Sequence, residues 1–210
     1  MANHNMNYIK KSLNSKELNL LLPKKNLRII DLGPGDFPYN GRKDFEDEII
    51  TIDFDSKLNP TYNFDLTKEW PKEIKNIDFI YASHVIEHFY QQERDVLINK
   101  LHNVLNKDGL LFIRVPHAYS FQGFGWEHYS QFTSNGFFSL VHGRNKNFPK
   151  FDMILNALSS IQIQKFHKPE NLFNKNLDYI LNLSHRITDM YISRYFGCIN
   201  EVQCLLKKPF

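Results

Sequence analysis

Leu27-Arg28-Ile29-Ile30-Asp31-Leu32-Gly33-Pro34-Gly35-Asp36 is an apolar strand that runs straight into a glycine- and proline-bearing loop. A run with so little polar interruption suits a strand buried on both faces, as in a parallel sheet covered by helices. Glycines in the turn that follows let the backbone pass close to a ligand with no Cβ in the way. Alone, such a loop is weak evidence, because any tight turn collects glycine and proline.

The flanking sequence supports the sheet. Ile49-Ile50-Thr51-Ile52-Asp53 reads as a second strand, Tyr62-Asn63-Phe64-Asp65 as a short third, Ile77 to Ala82 as a fourth and Leu110 to Val115 as a fifth. A helical pattern over Tyr8 to Leu22 precedes them and stops at Pro23. The strongest helix is expected over Gln91 to Asn106, where Val96, Leu97, Leu101, Val104 and Leu105 form one stripe and Gly109 offers the positive φ of a helix stop. Another should open at Thr133 or Ser134 and run through Val141. A helix over Phe151 to Leu158, a strand over Ser160 to Phe166, a long amphipathic helix near Leu177 to Tyr195 and a strand over Asn200 to Lys207 follow. The pattern predicts an α/β, Rossmann-like, doubly wound sheet. It would have seven mostly parallel strands, an antiparallel last strand, and a helical insertion before that strand.

Composition bounds the partners. The 210 residues carry 23% charged and 42% hydrophobic side chains and a formal net charge of +3, with lysines scattered rather than clustered. That is too little positive charge to demand a nucleic acid or a membrane surface. No apolar run approaches the length of a membrane span, and no signal-peptide core follows Met1. Cys198 and Cys204 are expected as buried thiols, which suits a cytoplasmic location.

Asp53 strengthens the loop reading. It ends the second strand 22 residues beyond Asp31, close to the roughly 20 residues at which nucleotide-binding folds carry the acid that takes ribose hydroxyls. From here the chain resembles the class I S-adenosylmethionine-dependent methyltransferases, in particular a shortened domain-11-like branch. Asp31-Leu-Gly33-Pro-Gly35 is similar to their first motif, Asp53 to their ribose acid, and Asp65 in Asn63-Phe-Asp-Leu to the acid of their adenine pocket. Ile77 to His88 resembles their fourth strand and turn, and Val104 to Pro116 their late helix, turn and fifth strand. The resemblance spans about Leu27 to Leu140. It implies S-adenosylmethionine as cofactor, held by Asp31, Gly33, Gly35, Asp53, Asp65 and Ser83. It also implies one domain over 1–210, with an N-terminal helix (1–26), a cofactor-binding half (27–116) and an acceptor-side half (117–210) carrying an insertion at 172–196. Phe37 and Pro38 stand where a third glycine is common, which also argues against a dinucleotide-binding dehydrogenase.

Ser83-His84-Val85-Ile86-Glu87-His88 leaves the fourth strand at the sheet edge where such folds bind ligands. If a helix begins here, His84, Glu87 and His88 share a face, a plausible set for manganese, iron or zinc. His-x-x-Glu-His is also a protease signature, but nothing else in the chain accompanies it. The stretch resembles the Glu-x-x-Glu-His of metal-dependent small-RNA 2′-O-methyltransferases and ubiquinone-pathway O-methyltransferases. His128, ahead of Phe132-Thr133, resembles the later histidine of the RNA enzymes. That likeness implies a metal held by His84, Glu87, His88 and His128. Metal-free acid–base or acceptor-binding roles for the same four catalytic candidates, and a purely structural role, stay open. Asp36, Tyr81, Glu127 and His117 are weaker candidates in neighbouring loops.

The loop from Ala118 to Tyr129 is dense in aromatics with two glycines, which suits a lid over a sugar or flat ring. The 172–196 insertion would cover the pocket or mediate a homodimer. The expected activity is O-methylation of a small hydroxylated acceptor, a sugar or phosphorylated precursor of a surface polysaccharide. The alternatives are an RNA ribose 2′-O-methyltransferase, which the unclustered charge argues against, and a non-catalytic module that keeps the cofactor fold.

Overall fold

The computed structural model describes residues 13–35, 38–120, 122–142, 148–160, 182–184, 188 and 199–209. Their elements run α1 (Ser15–Leu21), β1 (Arg28–Leu32), β2 (Glu48–Asp53), β3 (Tyr62–Asn63), β4 (Ile77–Ser83), α2 (Gln91–Val104), β5 (Leu105–Pro116), α3 (Ser134–Val141), β6 (Asp152–Ser160) and β7 (Ile199–Lys207). The seven strands form one sheet in the order β3-β2-β1-β4-β5-β7-β6. β1 to β5 pair in parallel, whereas β7 runs antiparallel to both β5 and β6.

The strands are apolar throughout because the sheet has a core on each face. Ile30, Leu32, Ile80, Ala82, Leu111, Ile113 and Val115 join one cluster with Leu97, Ile98 and Leu101 of α2 and Phe137 of α3. Their alternate neighbours Ile29, Phe79, Tyr81, Leu110 and Phe112 join the other with Leu18 and Leu22 from the α1 region. The period of two sends successive side chains to opposite faces, so both sets must be hydrophobic. A residue such as Phe112, 2% exposed, contributes enough burial that truncation to alanine costs about 3–5 kcal/mol.

The helix ends follow local chemistry. Asn14 accepts from Glu17 N at 2.9 Å while Glu17 accepts from Asn14 N, closing a capping box on α1. Thr133 caps α3 by accepting from Gly136 N at 3.0 Å, as expected. The end of α2 is closed by Lys208, whose Nζ donates to His102 O and Leu105 O, each at 2.8 Å.

Three expectations are corrected. The segment Phe151 to Leu158 is not a helix; from Asp152 onward it forms β6. A short apolar run fits a doubly buried strand as well as a helix, and pairing with β7 decides it. Of the strand expected over Ser160 to Phe166, Ser160 ends β6 and 161–166 lie outside the described residues. The positive φ after α2 belongs to Asp108 (61°), not to Gly109, and β5 opens directly at Leu105. The turn after β4 does not begin an α-helix; it is a single 3₁₀ turn, Ile86–His88. Of the first helix, Ser15–Leu21 is α-helical and residues 8–12 lie outside the described set. The third strand is only two residues long. The insertion at 172–196 falls outside the described residues apart from 182–184 and 188.

Asn182 makes a paired contact with β6: it accepts from Leu158 N and donates to Leu158 O, both at 2.8 Å. Gln203 makes the same kind of contact with Leu13, accepting from its N at 2.7 Å and donating to its O. No helix among the described residues is long and apolar enough to cross a membrane. Cys204 is fully buried, and burial pushes its thiol far above the usual range, so it is inert packing.

Candidate active site

The loop after β1 is held open by its two glycines. Gly33 and Gly35 adopt φ of 59° and 51°, a region that L side chains enter only at a cost. A Cβ on Gly33 would sit 2.7 Å from Val85 Cγ2, so this loop and the turn after β4 fit into each other. Gly33 N donates to Ile52 O at 2.8 Å, which fastens the loop to β2.

Three carboxylates line this side. Asp53, 6% exposed at the end of β2, accepts from Asp55 N at 2.9 Å and from Gly35 N at 3.5 Å. Asp31 is buried and accepts from Tyr39 N at 2.7 Å. Burial, opposed by that hydrogen bond and reinforced by the Asp53 charge, raises its carboxyl to about 6. Tyr39, buried beneath the loop, donates from its hydroxyl to Asn19 of α1 at 2.5 Å. Asp65 is exposed and turns back to accept from Thr67 N and Oγ1 at 2.8 Å, and these bonds hold its carboxyl below the usual range. Gly33, Gly35, Asp53, Asp65, His84, His88 and Tyr129 line one cleft of about 720 Å³ at the carboxyl ends of the strands. That is the size and place expected for a nucleoside-sized ligand in such a sheet. Ser83 stands apart from this lining, accepting from Arg114 Nε at 3.0 Å.

The acceptor-side candidates divide into two groups. His84 leaves β4 at φ 56°, a strained value for a residue other than glycine. Its Nε2 lies 2.9 Å from Glu201 Oε1 and its Nδ1 3.4 Å from Glu87 Oε1. Burial works against charge on this imidazole, but the two carboxylates outweigh it and raise it to about 9. Glu201 is held below the usual range by His84 and Arg114 despite its burial.

The other group is Glu87, His88 and His128, each offering a ligand atom within 4.8 Å of the others. Glu87 is 1% exposed, and neither carboxylate oxygen has a hydrogen bond. His128 Nδ1 is likewise buried without a hydrogen-bond partner. His88 Nδ1 faces Glu127 O at 2.9 Å; a carbonyl only accepts, so Nδ1 is the donor there and Nε2 is the atom left to coordinate. A buried carboxylate whose one ion-pair contact shown here is the 3.4 Å approach of His84, a bare imidazole nitrogen and an imidazole oriented by a carbonyl have the chemistry of a cation site.

Among the weaker candidates, Tyr81 stacks on Phe112 in the core and His117 is fully buried. Asp36 lies outside the described residues. Glu127 contributes its carbonyl rather than its side chain. Glu201 and Arg114 were not legible in the sequence. Glu201 stands 117 residues from His84, and only the pairing of β7 with β5, which sets Glu201 opposite Pro116, brings it there. Phe54, 82% exposed in the cleft lining, was also missed; its signal was an apolar residue directly after the ribose-type acid.

A family model described as a methyltransferase domain matches residues 3–156. The chain belongs to that methyltransferase family. Solved structures agree in fold. This methyltransferase superposes on a SAM-dependent methyltransferase from Archaeoglobus fulgidus with TM-score 0.57 and 13% identity, covering 93% of this chain and 95% of that one. NodS, an N-methyltransferase from Bradyrhizobium japonicum WM9 in complex with S-adenosylhomocysteine, gives TM-score 0.52 and 10% identity over 88% and 80% of the two chains. The small RNA methyltransferase HEN1 gives TM-score 0.57 and 12% identity over 92% of this chain but only 24% of its own, so the methyltransferase spans about a quarter of that protein. No curated protein matches the sequence. Family and fold together make the chain a class I S-adenosylmethionine-dependent methyltransferase.

Proposed function

We propose that this methyltransferase is an O-methyltransferase that acts on a small hydroxylated acceptor, with a divalent cation held by Glu87, His88 and His128. The observation that carries this reading is the convergence of three buried, hydrogen-bond-free polar atoms, Glu87 Oε1 and Oε2 and His128 Nδ1, beside the cofactor cleft. The ligand set expected from the sequence thus narrows from four residues to three. His84, with a carboxylate on each ring nitrogen, instead orients Glu87.

On the cofactor side, Asp53 would accept from the ribose hydroxyls, with Gly33 and Gly35 admitting the ligand's close approach. Asp65 would face the adenine and Asp31 would support the amino-acid end, while Ser83 holds Arg114 instead. Bound S-adenosylmethionine supplies a methyl group already activated by its sulfonium. A cation at the three ligands would lower the pKa of the acceptor hydroxyl. Transfer forms the acceptor O–C bond as the C–S bond breaks, leaving S-adenosylhomocysteine and one proton. The protein's own part is alignment: the cleft fixes the donor and Glu87, His88 and His128 fix the acceptor oxygen.

Calorimetric titration with S-adenosylhomocysteine, with and without Mn²⁺ after chelation, tests both halves. Binding, together with a Mn²⁺ heat that Glu87→Gln abolishes, supports the reading. No S-adenosylhomocysteine binding under either condition removes it.

A second reading, RNA ribose 2′-O-methylation, is favoured by the fold likeness to HEN1. Methylation of an oligoribonucleotide 3′ end, with steep salt dependence, would replace the small acceptor with RNA. A protein that binds S-adenosylmethionine but turns over no acceptor of either kind would instead be a binding module.

A further inference from the structure

Taking the methyltransferase reading as given, we propose that a second cleft receives the acceptor as an uncharged, flat-faced ring lying against the indole of Trp126. Two clefts meet at His84, which lines both. The second, about 800 Å³, continues through Gln122, Phe124, Gly125, Trp126 and His128. Its inner wall therefore includes one of the three cation-type ligands, while the cofactor cleft includes His88. An acceptor seated there has its reacting oxygen next to both.

Trp126 is fully exposed and Phe124 is 67% exposed. The indole is carried on a fastened loop. At its foot, Tyr129 N and Ser130 N both donate to Glu87 O, and His88 Nδ1 donates to Glu127 O. At its tip, Gly123 N donates to Ser120 O, Gly125 N to Gln122 O and His128 N to Gly125 O. Gly125 lies against the His128 ring, where a Cβ would come within 3.1 Å. A large apolar face is thus held in water by an ordered backbone beside a cleft, the arrangement of a stacking platform with little entropy to lose on binding.

The lining narrows the ligand: among the described lining residues there is no lysine or arginine to hold an anionic group, whereas the exposed indole offers a neutral ring its face. The C–H face of a pyranose and the face of a phenol stack on an indole alike, so the ring's chemistry is shared between these two sources.

The test uses the full chain loaded with S-adenosylhomocysteine and Mn²⁺. It is titrated separately with methyl β-D-glucopyranoside, methyl α-L-rhamnopyranoside, 4-methoxyphenol and glucose 1-phosphate. The Trp126 signal is taken as the emission difference between the native protein and Trp126→Phe. The expected result is a blue shift of that signal with a neutral ring, and at least tenfold weaker binding of that ring to Trp126→Ala, whose S-adenosylhomocysteine affinity stays within twofold of native. A response to a glycoside assigns a pyranose, and a response to the phenol assigns an arene. Loss of S-adenosylhomocysteine binding in the native protein would sink the methyltransferase reading and this proposal with it. Intact S-adenosylhomocysteine binding with a silent Trp126 overturns this proposal alone. So does tighter binding of glucose 1-phosphate that Trp126→Ala does not affect.

Discussion

The two sides of the site differ in how their polar atoms are satisfied. On the cofactor side, Asp31, Asp53 and Asp65 each accept from a nearby backbone N–H, at Tyr39, Asp55 and Thr67. On the acceptor side, Glu87 and His128 bury oxygens and a nitrogen that no hydrogen bond reaches. A buried carboxylate costs several kcal/mol unless something neutralises it, and His84, 3.4 Å away and shared with Glu201, does so only in part. One side is therefore finished by its own chain, while the other is built to be completed by what it binds.

That contrast breaks most visibly at Glu87. Glu87→Gln should lower turnover by about 10³-fold while leaving S-adenosylhomocysteine affinity within about twofold. Steady-state kinetics beside calorimetry checks it, and a parallel loss of cofactor affinity would show that the two sides do not act separately. Gly33→Ala attacks the opposite side. Its φ of 59° and the 2.7 Å approach to Val85 should lower Tm by roughly 5–10 °C and weaken S-adenosylhomocysteine binding by at least about tenfold.

Gly125→Ala is subtler. The added methyl presses on the His128 ring at 3.1 Å, so turnover should fall about tenfold with Tm nearly unchanged. A large Tm loss would mean that Gly125 serves the fold rather than His128.

Asp31→Asn leaves the acceptor side untouched and gives the clearest sign. The folded protein holds this proton up to about pH 6, whereas an unfolded aspartate releases it near its ordinary pKa of about 3.9. Between those values the native state binds more protons, so native stability falls as pH rises through that window. The variant lacks that fall. It should match the native protein near pH 4 and exceed it by on the order of 1–3 kcal/mol at pH 7, while binding S-adenosylhomocysteine less well. Chemical denaturation at the two pH values checks it.

The same contrast explains what the sequence could disclose. β1, β2 and β4 were legible because strands buried on both faces spell near-continuous apolar runs, and the Gly33–Gly35 loop and Asp53 stand at their ends. The Asn200–Lys207 strand was also readable, within one residue of β7. β6 reads as a helix in the sequence because Phe151 to Leu158 is a short apolar run that only its pairing with β7 resolves. On the acceptor side, His88 and Glu87 could be paired by spacing. The partnership of His84 with Glu201 could not, because it depends on an antiparallel strand 117 residues away. Nor does any spacing reveal that His84 takes a left-handed backbone, which turns its ring from the expected helix face toward β7.

The order of the sheet also has a consequence for synthesis. β7 is translated after β6 yet lies between β5 and β6. Among the described strands, β6 therefore has no neighbour in the sheet until β7, Ile199–Lys207, has been made. At translation rates of about 5–20 residues per second, the nascent chain spends seconds with β5 as an open edge and β6 as an unpaired apolar strand. A chaperone that engages this protein during translation should therefore meet it in that interval, before the arrival of β7 closes the sheet.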